Sequence, residues 1–145
     1  MTWVVLIWAL VVALIDHRTR RIPNVLLLPA FVVATLALVV TQVSLLGAPW
    51  LSALGGMALA MSPWLLGYIL GHVGAGDAKF AAILGLICGF PITLVATLVA
   101  LVAFGVLSLV WFRAGWKGLR LPVAPWIVLG FVVAVGLNQG GVAWS

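Results

Sequence analysis

Apolar residues run along this chain in long stretches, and the few charged residues fall between them. Residues 25–46 and 50–70 are each about 21 long, which at ~1.5 Å per residue spans the ~30 Å hydrocarbon core of a bilayer. From Phe80 to Phe112 there are 33 uncharged residues, about 50 Å if helical, too long for one ordinary span and just enough for two. Glycine and proline in "CGFP", Cys88 to Pro91, favour a tight turn and predict the break there. A last helix runs from Val123 to about Leu137, entered after Pro122. The first apolar run, Thr2 to Ile15, is short for a span, so its helix should continue toward Arg21 until Pro23 stops it. Its cations follow the apolar stretch and no small-residue cleavage site precedes them, so it is expected to stay as helix one and not to be removed as a signal peptide. The pattern predicts an all-α integral membrane protein: one polytopic domain over residues 1–145, six transmembrane helices and no internal repeat.

Composition agrees with this reading. Of 145 residues 66% are apolar and 6% charged, with a mean hydropathy of +1.38, which leaves too little polar surface to cover a water-soluble globule. The net charge of +5 sits in short clusters, with no basic stripe or soluble module of the kind that binds nucleic acid. A lone cysteine, Cys88, supports neither a disulfide framework nor a cysteine metal site within one chain. His17 and His72 have no accompanying ligand pattern, so no metal and no cofactor are expected.

The cations discriminate between helix counts. Arg18, Arg20 and Arg21 lie in the first connection, Lys79 borders the third, and Arg113, Lys117 and Arg120 lie in the fifth. With six helices all seven fall on one face, which the positive-inside rule makes cytoplasmic. Both termini then lie on the non-cytoplasmic side. The eight tryptophans, several near run ends as at Trp3, Trp50 and Trp111, read as interfacial anchors.

The same topology brings the chain's two acids, Asp16 in "LIDHRTRRIPN" and Asp77 in "GHVGAGDAKF", to one side of the membrane. Each is expected about a turn inside the interface, where a carboxylate is costly and is by default a functional-site candidate. Two carboxylates facing one another cannot both ionise cheaply. Sharing one proton, the ionised member can take a proton from water while the other polarises a carbonyl, which is aspartyl protease chemistry. Gly71, Gly74 and Gly76 leave room beside Asp77 for an extended substrate backbone. Asp77 opens a helix, where free N–H groups suit a carboxylate, whereas Asp16 ends one. That contrast gives Asp77 the water-activating role. Asp77 taken alone also suits an N-cap, and Arg20 is placed to pair with Asp16. Lys79 is positioned either to influence Asp77 or to hold a lipid phosphate.

"DHRTRRIPN", Asp16 to Asn24, followed by "GAGDAK", Gly74 to Lys79, resembles the paired motif of the type IV prepilin peptidases, membrane aspartyl proteases of the GxGD type. The stretch "LPVAPW", Leu121 to Trp126, is similar to the proline-containing approach to their last helix. The resemblance implies removal of a short basic leader from prepilin or pseudopilin precursors, in a bacterial inner membrane or its archaeal counterpart, with the active site toward the cytoplasm. Asp16 and Asp77 would be the catalytic pair, supported by Gly74, Gly76, Lys79, Pro23 and Asn24. The larger bifunctional members carry an added cytoplasmic region, often with Cys-x-x-Cys motifs, and methylate the product. This chain has neither, so methyltransferase activity is not expected, and its compact form resembles the peptidases of Flp or Tad pilus systems. The alternative from the residues alone is a small proton-coupled transporter or channel subunit using the same two aspartates.

Overall fold

A computed structural model describes residues 1–115 and 122–140. Among these residues there are six helices: α1 (Thr2–Thr19), α2 (Asn24–Thr41), α3 (Trp50–Ile69), α4 (Ala75–Cys88), α5 (Phe90–Arg113) and α6 (Ala124–Gln139). The expected break in the long apolar run falls at Gly89, whose φ of 80° suits glycine and turns the chain between α4 and α5. A side chain there would also collide with Ala48. The corner is pinned where Phe90 donates its backbone N–H to Ser52 Oγ at 2.9 Å.

The helix boundaries differ from the apolar runs in two places. Residues 25–46 were expected to form one helix, yet α2 ends at Thr41 because Gln42 turns left-handed, with φ of 59°. Ser44 then folds the following loop onto itself, its N–H bonding Ala48 O at 2.7 Å and its Oγ accepting from Ala48 N–H at 3.0 Å. The second difference concerns span length. Four helices, α1, α2, α3 and α5, are long and apolar enough to cross a membrane, whereas α4 has 14 residues and α6 has 16. The chain is thus a multi-pass membrane protein in which two of the six described helices fall below the roughly 17 residues of the shortest ordinary spans.

The reason for α4 lies in its surroundings. From Phe80 to Cys88 every one of its residues is buried. It packs against α2, α3, α5 and α6, and Phe80 also meets Trp8 of α1 at 5.5 Å between ring centres. A helix wrapped by its neighbours need not match the thickness of the lipid. Close approach is built from glycine: a Cβ at Gly56 would lie 2.6 Å from the Gly85 carbonyl oxygen, and one at Gly130 would strike the Ala96 carbonyl. Since hydrocarbon gives helices no hydrophobic reason to associate, such backbone contact supplies the packing instead.

Not all tryptophans are interfacial anchors, as had been expected from their positions. Trp64 is buried and meets Phe104 edge-on at 5.7 Å. Trp8 donates its Nε1–H to Leu26 O at 3.3 Å, tying α1 to the first turn of α2. At one end of the bundle α1 finishes while α2, α4 and α6 begin. Arg18, Arg20, Arg21, Lys79 and Arg113 all belong to this end; Lys117 and Arg120 lie outside the described residues.

Candidate active site

The two acids meet at that end of the bundle. Asp16 is in the last turn of α1 and only 3% exposed, and Asp77 is in the first turn of α4 and 8% exposed. They are near enough for their charges to interact. Each is held by a backbone N–H through one oxygen. Gly74 donates to Asp77 Oδ2 at 3.2 Å, and Ala124, the first residue of α6, donates to Asp16 Oδ2 at 3.4 Å. Asp77 Oδ1 is buried and has no hydrogen-bond partner. A buried carboxylate oxygen without a partner is costly unless it faces a proton, water or ligand.

These contacts revise several expectations. Asp77 is the third residue of α4 and not its N-cap, which is Gly74. Its Oδ2 makes the reciprocal half of a capping box, bonding back to the Gly74 N–H. Asp16 lies late in α1, but α6 starts against it, so both acids sit at a helix N-terminus. The contrast of helix ends that singled out Asp77 as the water-activating group therefore disappears. Arg20 is exposed and adopts a left-handed conformation, φ 52°, closing α1 with its backbone N–H on the Asp16 carbonyl at 2.7 Å. Its contribution is a helix cap.

The glycines divide the work. Gly71 has φ of 78° and open space around it, as its turn requires. Gly74 faces Asp77, whose Oδ2 would be 3.1 Å from a Cβ placed there. Gly76 does not open a path for substrate, as expected from sequence, because Ile22 occupies that space: a Cβ on Gly76 would lie 3.1 Å from Ile22 Cβ. The second glycine of the motif thus lets the Ile22-Pro23-Asn24 loop seat directly on the start of α4. Pro23 caps α2 with an extended backbone, ψ 128°, and Asn24 is its exposed first residue. Lys79 is exposed, two residues beyond buried Asp77. Two positions along a helix do not share a face, so Lys79 is turned away from the acid. His17 and His72 are both exposed.

Sequence reasoning missed two participants, Ile22 and the Ala124 N–H. Ile22 stood inside the quoted motif and would have been found by asking what a glycine lets in. For Ala124 the only signal was the proline pair around it, Pro122 and Pro125, which marks a helix start without saying against what.

The fold and this pair define a polytopic membrane protein with two buried acids brought together at one end of a helical bundle. A family model described as the type IV leader peptidase family matches residues 3–109. The chain belongs to that family, which carries aspartic-type peptidase activity in general. No curated protein and no solved structure matches the chain. Both acids fall within the matched stretch, while α6, which holds one of them, falls outside it.

Proposed function

We propose that this chain is a membrane-embedded aspartyl endopeptidase of the GxGD type that removes the short leader from prepilin-like precursors at the cytoplasmic face of the inner membrane. One observation carries the reading: the two carboxylate side chains of a 145-residue chain, far apart in sequence, are both buried and near enough for their charges to interact. A transporter would need neither the family's motifs nor a pair at one end of the bundle.

The chemistry follows from the geometry. The N–H groups of Gly74 and Ala124 each hold one carboxylate oxygen, leaving Asp77 Oδ1 buried and without a hydrogen-bond partner. A shared proton keeps two like charges from being buried together. The ionised member takes a proton from water as the oxygen attacks the scissile carbonyl, and the protonated member hydrogen-bonds that carbonyl as charge develops on it. Collapse of the intermediate transfers a proton to the departing amide nitrogen. The new carboxylate and amine are released.

Incubation of the membrane-embedded protein with leader-bearing pilin and pseudopilin precursors, followed by mass measurement, tests the reaction. A product shortened by the leader is expected, and intact precursor throughout the panel would refute the reading.

Topology is tested separately, in a Cys88→Ser background. Cysteines at Thr19 and Ala75 should label from the cytoplasm. In the opposite loop the φ of 85° at Gly47 disfavours cysteine, whereas exposed Val43 accepts one and should label from outside. Labelling of Ala75 and Val43 from one side would overturn the orientation. A matching position, Gly118, lies outside the described residues.

A further inference from the structure

A cavity separate from the acid pair opens between α2, α3 and α4. Its volume is about 560 Å³, and Phe31, Met57, Met61 and Ile83 form much of its wall. Two polar residues line it, Asn24 and Lys79. Asn24 is the first residue of α2, and Lys79 is in the second turn of α4. Because Ile22 is seated on Gly76, these two helix starts abut. Both polar groups therefore lie at the same end of an otherwise apolar groove.

We propose that the groove is a specific site for an anionic phospholipid, with an acyl chain along Phe31, Met57 and Met61 and the headgroup phosphate on Lys79 and Asn24. Three features support this occupant. The single charge lining the groove is positive, and the chain's two acids are buried and do not line it, so the ammonium is available to an external anion. Lys79 sits in the second turn of its helix, near enough to its start for the lysine stem to reach outward toward the phosphates. The two methionines give a wall that adapts to a flexible chain. The site adjoins the proposed catalytic pair through α4, but its existence does not depend on that pair acting as a peptidase.

The full chain, purified in detergent and exposed to an equal mixture of phosphatidylglycerol and phosphatidylcholine with identical acyl chains, is analysed by native mass spectrometry. One lysine near an anionic headgroup predicts retention of the anionic lipid in about fivefold excess. Lys79→Gln should bring that preference close to one, and Lys79→Arg should keep it. Equal retention of both lipids by the wild type, or an undiminished preference in Lys79→Gln, would overturn the proposal. Inorganic phosphate should displace none of the lipid; displacement would mean that the anion alone is recognised. A photo-crosslinking residue at Met61 should yield a lipid adduct in liposomes that also hold a leader-bearing precursor. An adduct with the precursor's apolar segment instead would make the groove a protein-docking site and refute the lipid assignment.

Discussion

Asp16→Asn and Asp77→Asn should each reduce precursor cleavage by on the order of 10³-fold or more, and the double variant should be within a few-fold of either single one. Removing either carboxylate leaves its partner without the group that shares its proton, so the remaining acid can neither activate water nor protonate the carbonyl in the required sequence. Groups acting as one unit lose nearly everything with the first substitution and little with the second. The fold should survive, because asparagine is nearly isosteric and its amide oxygen can still accept from the Gly74 or Ala124 N–H. Helical circular dichroism and elution volume check this. A single variant keeping a third or more of wild-type activity, with the chemical step rate-limiting, would remove that residue from the pair.

Gly85→Ala is expected to be among the most damaging single-methyl insertions in the bundle. A Cβ there strikes the Gly56 carbonyl and, one turn further along α3, lies 3.0 Å from Ala60 Cβ. Neither obstacle is the end of a flexible side chain, so α3 and α4 must separate. Overpacking of this kind costs about 3 kcal/mol, well beyond the ~0.5–1 kcal/mol that alanine gains over glycine within a helix. Gly105→Ala is the matched control. It adds the same methyl to α5 where nothing lies within 4 Å, so only the propensity gain remains. Thermal unfolding in a fixed detergent should place Gly85→Ala well below the wild type and Gly105→Ala at or slightly above it. Equal midpoints for the two would refute the claim that α3 and α4 are in backbone contact. Since α4 carries Asp77, Gly85→Ala should also lower cleavage, although it is far from the acids.

Hydropathy and punctuation made most of the fold legible. The break at Gly89, the helix start near Asp77 and the stop before Pro23 all follow from glycine, proline and run length, which act locally. Partners across the bundle were harder to read. Nothing in the stretch from Phe80 to Cys88 distinguishes a helix wrapped by protein from one facing lipid, since both solvents favour apolar side chains. The same degeneracy concealed Trp8 and Trp64 inside the bundle. Within the candidate site the acids were legible because a carboxylate in such a chain is conspicuous by its cost. Gly76 was misread because the absence of a side chain announces that something comes close without saying what. Backbone donors were the least visible part: the N–H on Asp16 belongs to an alanine, and any residue except proline could supply it.

The hydrogen bond from Ala124 to Asp16 closes a separation of 108 residues, and it sets an order of events during synthesis. Asp16 leaves the ribosome before Ala124, and at about 5–20 residues per second its backbone donor follows roughly 5–20 s later. Over that interval the early helices can enter the membrane while one acid still lacks its anchor. The anchor arrives only when α6 has docked, so a nascent chain stalled after α5 would hold both carboxylates with Asp16 still lacking its backbone donor.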